Sequence, residues 1–226
     1  MLIGGFQRNS LVDFPGIVAS VIFFAGCNFR CPYCHNPGLV LGKGEEIPLS
    51  DILSYLTKAR KIIDGVCITG GEPTLYGVKL TGLMTELRSL GLKIKLDTNG
   101  SRPELLKKFV EEKMIDYVAL DLKTSFEKYA SFSLEKDSPS KVEESFQFLQ
   151  NQNEIPYEFR TTLDPRVVTR DDLEMLSVKI KPDSRWFWQQ FKNEVCLRES
   201  QEVIPFPLQE IESWQKALSS HQIKLR

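Results

Sequence analysis

Six short runs rich in β-branched and aromatic residues alternate with six longer runs of helical period, and this alternation constrains the fold more than anything else in the chain. Strands are expected near 18–25, 65–69, 93–98, 117–122, 157–162 and 185–190. Helices are expected between them, near 50–63, 76–90, 102–114, 140–152, 170–180 and 208–219. Leu105, Leu106, Phe109 and Val110 recur at helical spacing, and Ser50 and Ser101 are candidate helix caps. Strand–helix alternation builds a parallel sheet with right-handed crossovers. A closed barrel needs eight such units. Six leave the cylinder open, so the expected fold is α/β, a partial (β/α)6 TIM-like barrel open on one side. The opening can admit something larger than a metabolite. A chain of 226 residues with 42% hydrophobic content supports one sizeable core, so a single domain over 1–226 is expected, with 1–16 preceding the first barrel strand. The stretch 131–140 reads as an exposed loop.

Bulk properties exclude several classes. The formal net charge is -1, so the basic footprint of a nucleic-acid binder is missing. No stretch approaches the roughly 20 apolar residues of a membrane span. Residues 1–10 lack the charged start and apolar core of a secretory signal. A cytoplasmic protein is expected, with no nucleic acid and no membrane among its partners.

Five cysteines make an odd count, and three of them, Cys27, Cys31 and Cys34, crowd into the run C-N-F-R-C-P-Y-C. That argues for a metal site in a reducing compartment rather than a disulfide frame. Three thiolates this close can hold three irons of a four-iron cluster and leave the fourth iron open for chemistry, whereas ordinary ferredoxin spacings fill every iron. Two other readings compete. Cys31 to His35 matches the C-x-x-C-H haem-attachment pattern, which would leave Cys27 idle. A structural zinc on the cysteines and His35 is the other, but adjacent Cys34 and His35 make poor tetrahedral geometry. Cys67, in an apolar strand, reads as a core residue, and Cys196, in a charged stretch, as a partly exposed thiol.

Polar clusters recur where the expected strands end. They are the cysteines, then Thr69-Gly70-Gly71-Glu72-Pro73, Asp97-Thr98-Asn99-Gly100, Asp121-Leu122-Lys123, Arg160-Thr161-Thr162, and Gln189-Gln190. In parallel α/β folds the C-terminal strand ends line the active site. Each cluster alone has a bland reading: Gly-Gly and Asn-Gly mark turns, and Asp121 with Lys123 can be a surface ion pair. Strand alternation puts Asp121 and Lys123 on one side, with Leu122 opposite, which favours a shared site.

With these residues in hand, the chain resembles the radical S-adenosylmethionine (SAM) enzymes. The C-x3-C-x2-C spacing, Tyr33 before the last cysteine and Gly70-Gly71-Glu72 carry the resemblance over essentially the whole chain. Asp13-Phe-Pro-Gly16, Cys34-His-Asn-Pro37, Asp97-Thr-Asn-Gly100 and Asp121-Leu-Lys123 narrow it to the glycyl-radical-enzyme activases. Leu11 to Gly16 and Trp186 to Phe191 are similar to the activating proteins of anaerobic ribonucleoside-triphosphate reductases. The resemblance implies a [4Fe-4S] cluster on Cys27, Cys31 and Cys34, and SAM chelating its open iron. It implies SAM contacts from Tyr33, Gly70, Gly71, Glu72, Asp97, Thr98, Asp121, Lys123 and Arg160, with a monovalent cation near Asp97, Thr98 or Asp121. Glu72 is expected at the SAM ammonium and Lys123 at its carboxylate. Asp13 is expected as a catalytic-site residue that orients the incoming glycine loop. The implied reaction is reductive cleavage of SAM and removal of a glycine Cα hydrogen from a large glycyl radical enzyme, with a flavodoxin or ferredoxin as electron donor. Close alternatives are a pyruvate formate-lyase-type activase and a radical SAM enzyme acting on a small pterin-like molecule. A zinc-bearing binding module is the alternative of another class.

Overall fold

The computed structural model describes residues 1–43, 45–192, 196–197, 203–218 and 222–226. One eight-stranded sheet runs through it, its strands in the order of the sequence. Strand β1 (Ile3–Ser10) lies antiparallel to β2 (Ala19–Phe24). Strands β3 (Gly65–Gly70), β4 (Lys93–Thr98), β5 (Tyr117–Asp121), β6 (Tyr157–Leu163), β7 (Arg185–Gln190) and β8 (Gln222–Leu225) then follow, each parallel to the one before. Helices α1 (Pro37–Val40) and α2 (Leu49–Ala59) follow β2, and α3 (Val78–Ser89), α4 (Pro103–Glu111), α5 (Ser138–Asn151), α6 (Arg170–Lys179) and α7 (Leu208–Ala217) follow β3 to β7 in turn. The final residue of the expected 208–219 helix lies outside the described residues.

Six strand–helix units are present, as the alternation implies, and the sheet does not close: among the described residues β1 pairs only with β2 and β8 only with β7. The two edge strands were not expected. β1 occupies much of the 1–16 segment, where Gly4 and Gly5 mask the strand pattern. β8 has only four residues, too few for a period-two pattern to stand out.

Alternation along the strands separates two chemistries. Ile22, Phe24, Val66, Ile68, Ile94, Leu96, Val118, Leu120 and Phe159 join the main core, with the buried faces of the helices. The opposite face carries Lys95, Asp97, Asp121, Glu158 and Arg160, so the lumen is charged rather than filled with branched aliphatics.

Local details correct several expectations. Neither serine caps a helix: α2 begins at Leu49 after Pro48, and α4 begins with Pro103 after Arg102. Ser101 is committed elsewhere, since its hydroxyl accepts from the Asn28 side chain at 2.9 Å. The best cap is at α6, where Thr169 and Asp172 form a reciprocal capping box. The 131–140 stretch is not a free loop, because Phe132 and Ser138 are buried and α5 starts at Ser138. Cys196 is buried, not partly exposed.

Candidate active site

The site is built where β2 ends. Its carboxyl end runs through Gly26, at φ +83°, into the cysteine loop. The loop is pinned on three sides. Arg30 donates to the carbonyls of Cys27 (2.6 Å) and Phe29 (2.9 Å). Arg30 N–H donates to Phe132 O at 2.7 Å, and Leu134 N–H to Asn28 O at 2.9 Å, which holds the loop against the segment before α5. Below, it is zipped to the Gly70-Gly71 turn: Gly71 N–H donates to Phe24 O (2.7 Å) and Glu72 N–H to Gly26 O (2.9 Å). A Cβ on Gly71 would collide with the Gly26 carbonyl, and Gly70 sits at φ +114° against the backbone of Phe23 and Phe24. Only glycine permits this approach.

Cys27, Cys31 and Cys34 line one cavity together with Tyr33, Gly70, Gly71, Asp97, Thr98, Asp121, Lys123 and Arg160. Eleven of the thirteen residues expected at the site therefore meet around one cavity; Asp13 and Glu72 do not. Glu72 is fully buried, and its carboxylate is spent inside the protein. It accepts from Thr74 N–H (3.1 Å), Thr74 hydroxyl (2.6 Å), Thr98 hydroxyl (2.8 Å) and Asn99 N–H (2.6 Å). Glu72 thus fastens the end of β3 to the end of β4. Burial raises its pKa, against the pull of these donors.

Asp13 lies in the β1–β2 connection, at the end of β2 opposite the thiols. Ser10 hydroxyl donates to its carboxylate at 2.5 Å, and its own N–H donates to Ser10 Oγ at 3.1 Å. The carboxylate still reaches the lumen electrically. Burial first, then Asp97, raises the Cys67 thiol pKa, and Asp13 adds to that rise.

A charged column forms the floor. Arg160 donates from Nη1 to Asp97 (2.9 Å) and from Nε to Asp121 (2.8 Å), and Lys123 stands 3.4 Å from the other Asp121 oxygen. Burial alone would raise Asp97, but Arg160 and Lys95 outweigh it and hold its pKa at about 2. Burial opposes the Lys123 charge, yet Tyr33, Cys31 and Asp121 keep its pKa well above the ordinary value. Its ammonium sits 5.8 Å from the Tyr33 ring centre.

Asn99, Thr162 and Gln189 also line the cavity; the sequence places all three in the polar clusters at the strand ends without assigning them a role. Asn99 matters most: its amide donates to Asn28 Oδ1 (2.9 Å) and approaches Cys27 Sγ at 3.9 Å. Its turn-like Asn-Gly sequence hid that role.

The residues fit a cubane cluster. All three cysteines are free of disulfides and face one cavity, and Cys27 Sγ also accepts Phe29 N–H at 3.3 Å. Hydrogen bonds to cluster sulfurs are a normal part of such sites. Without iron, burial and then Glu72 push the Cys27 thiol up to about 12, and burial raises Cys31 as well. Among the described residues no three His, Cys, Asp or Glu side chains converge tightly enough for a single ion. A four-iron cubane distributes its thiolates over separate corners and asks for that wider spacing.

Comparison with known proteins agrees with the geometry. The sequence profile of the radical SAM superfamily matches residues 21–165, and the chain belongs to that superfamily. Within it the chain is 31% identical over 209 residues to a protein of Methanocaldococcus jannaschii provisionally described as a glycyl-radical enzyme activating enzyme, covering 91% of this chain and 86% of that one. It is 33% identical over 126 residues to the pyruvate formate-lyase-activating enzyme of Clostridium pasteurianum, spanning 52% of this chain and half of that one. In fold it is similar to Streptococcus suis SuiB bound to S-adenosylmethionine, with a TM-score of 0.66 at 15% identity over 91% of this chain and 51% of that one. Enzymes of this superfamily use a [4Fe-4S] cluster and SAM, and the zinc-bearing module weighed from sequence gives way to that chemistry. No helix among the described residues is long and apolar enough to cross a membrane.

Proposed function

We propose that this chain, with residues 1–226 working as one domain, installs a glycyl radical in a large partner enzyme, and that the partner is an anaerobic ribonucleoside-triphosphate reductase. The observation that carries the reading is the meeting of three free thiols, the Gly70-Gly71 cradle and the Lys123 ammonium around one cavity, at the rim of a sheet that does not close. The relatives named as glycyl-radical enzyme activators support the class of partner. The similarity of Leu11 to Gly16 and of Trp186 to Phe191 supports the reductase.

Cys27, Cys31 and Cys34 would hold the cluster, which with SAM supplies one-electron cleavage and a carbon radical able to remove a hydrogen atom. The protein's own residues do the rest. Gly70 and Gly71 let backbone approach the ligand where a Cβ would intrude. Lys123 offers a charge for a carboxylate and is kept protonated for it. Glu72 acts at one remove, by holding Thr98 and Asn99 in place. Tyr33, buried and beside Lys123, walls the cavity and excludes water. Asp13, in the β1–β2 connection, is in this reading a contact for the peptide rather than for SAM. A flavodoxin or ferredoxin is the electron donor in this reading, and the cytoplasm the compartment.

The test is direct. Anaerobically reconstituted, reduced protein is mixed with SAM and a candidate partner, and the glycyl doublet is sought by electron paramagnetic resonance. A doublet with the reductase and none with a pyruvate formate-lyase-type enzyme is expected. The opposite pattern would reassign the partner, and SAM cleavage with neither partner responding would remove the activase role.

A further inference from the structure

One buried cation in the lumen has no assigned part in SAM chemistry. Lys95 lies on β4, one pleat below Asp97, with its side chain 3% exposed. Its ammonium is bonded to Asp97 Oδ1 and lies 3.8 Å from Cys67 Sγ. From Lys95 the charges alternate across three strands. Asp97 Oδ2 takes Arg160 Nη1 at 2.9 Å, Arg160 Nε reaches Asp121 Oδ1 at 2.8 Å, and Asp121 Oδ2 faces Lys123 at 3.4 Å. Three cations thus bracket two carboxylates, and every carboxylate oxygen already faces one of them.

The monovalent cation expected near Asp97, Thr98 or Asp121 does not fit this arrangement. A free cation at either carboxylate would sit among like charges that are fixed by the strands. The Thr98 hydroxyl is already engaged, donating to Glu72 and accepting from Gly100 N–H at 3.1 Å. Lys95 and Arg160 alone already match the charge of Asp97 and Asp121, so these two carboxylates need no further cation to be balanced.

We propose that the Lys95 ammonium is the tethered counter-cation of this site. It takes the electrostatic place of a free monovalent ion, orients Asp97 and through it Arg160 and Asp121, and makes SAM binding indifferent to potassium or sodium. Lys95 is a positioning residue here, acting through Asp97, and the inference rests on the reading of the cavity as a SAM site.

The experiment measures SAM affinity of the reconstituted protein by equilibrium dialysis, at one ionic strength, in potassium, sodium or tetramethylammonium chloride. The natural protein is expected to bind equally in all three. Lys95→Met keeps the length and removes the charge. It is expected to weaken SAM binding by about tenfold or more in tetramethylammonium and to recover in potassium or methylammonium. The sodium-23 resonance is expected to broaden with Lys95→Met and not with the natural protein. A Lys95→Met protein that binds SAM poorly in every salt would make the lysine a packing residue, and one that binds normally in every salt would make it dispensable; both overturn the proposal. If that variant does not fold, the natural protein decides alone: a gain of about fivefold or more in potassium over tetramethylammonium overturns the tethered cation, and equal binding supports it. Failure of SAM to bind in any salt would instead sink the SAM site itself, and the Lys95 role with it.

Discussion

The tightest constraint at the residue scale is the contact of two backbones, Gly71 on Gly26. Gly71→Ala would drive a methyl group into the carbonyl that accepts Glu72 N–H, one residue before Cys27. The expected outcome is a folded protein with a displaced cysteine loop, and iron and sulfide after reconstitution reduced by about half or more, with a loss of stability of about 1–3 kcal/mol. Iron analysis beside a denaturant melt separates the two effects, and full iron content would show that the loop tolerates the shift. Cys27, Cys31, Cys34, Gly70 and Gly71 were legible in the sequence because their chemistry is local: spacing for the thiols, absence of a side chain for the glycines. Glu72 was legible as a site residue but not in its direction. A buried carboxylate reveals its partners only when Thr98 and Asn99, on another strand, are brought beside it. Lys95 was hidden for a related reason. The alternation Lys93-Ile-Lys95-Leu-Asp97 announces a strand with a charged face, and charged faces normally look outward. Here β4 turns that face into the lumen.

At the scale of elements, α6 shows how a helix start can organise its neighbours. Thr169 accepts Asp172 N–H, while Asp172 accepts Thr169 N–H at 2.8 Å and the Thr169 hydroxyl at 2.7 Å. The same carboxylate takes Ser125 hydroxyl and Lys128, each at 2.6 Å, from the turn after β5. Thr169→Ala is expected to cost about 1 kcal/mol, the ordinary loss of a cap. Asp172→Ala removes the carboxylate half of the capping box and both cross-links and is expected to cost about 2–4 kcal/mol. Chemical denaturation checks the order, and equal losses would mean that Ser125 and Lys128 contribute nothing through Asp172. The six central strands and their helices were readable because each has an apolar period long enough to count. The edges were not. β1 is diluted by glycine, β8 is short, and the expected serine caps failed: Ser50 lies inside α2, and Ser101 binds Asn28 across the chain, a partner that no local pattern contains.

For the molecule as a whole, the charged lumen sets the response to acid. Asp97 has a folded pKa of about 2, and Asp121 is lowered too, by Arg160 and Lys123 against the effect of burial. A depressed carboxylate stabilises the fold above its unfolded pKa and loses that contribution as pH falls through the folded value. Asp97 alone is worth about 2–3 kcal/mol in this sense. Glu72 has the opposite sign, because its raised pKa favours the folded state below the unfolded value and costs stability as pH rises through the folded one. Burial alone would raise Asp172, but Lys128, Ser125 and Thr169 outweigh it and hold it at about 2 as well. The lowered carboxylates therefore outweigh Glu72 and give a net loss between about pH 4 and pH 2. Urea melts of the cluster-free protein across that window are expected to show it, and a flat profile would mean that the column is not ionised as described.

The strands are laid down in the order in which they are made. β2 needs only β1 and β3 to be paired on both sides, whereas Arg160 and Gln189, on the opposite wall of the cavity, belong to β6 and β7. The far wall comes from residues more than a hundred positions downstream of the thiols, so the cavity exists only once the domain has folded as a unit.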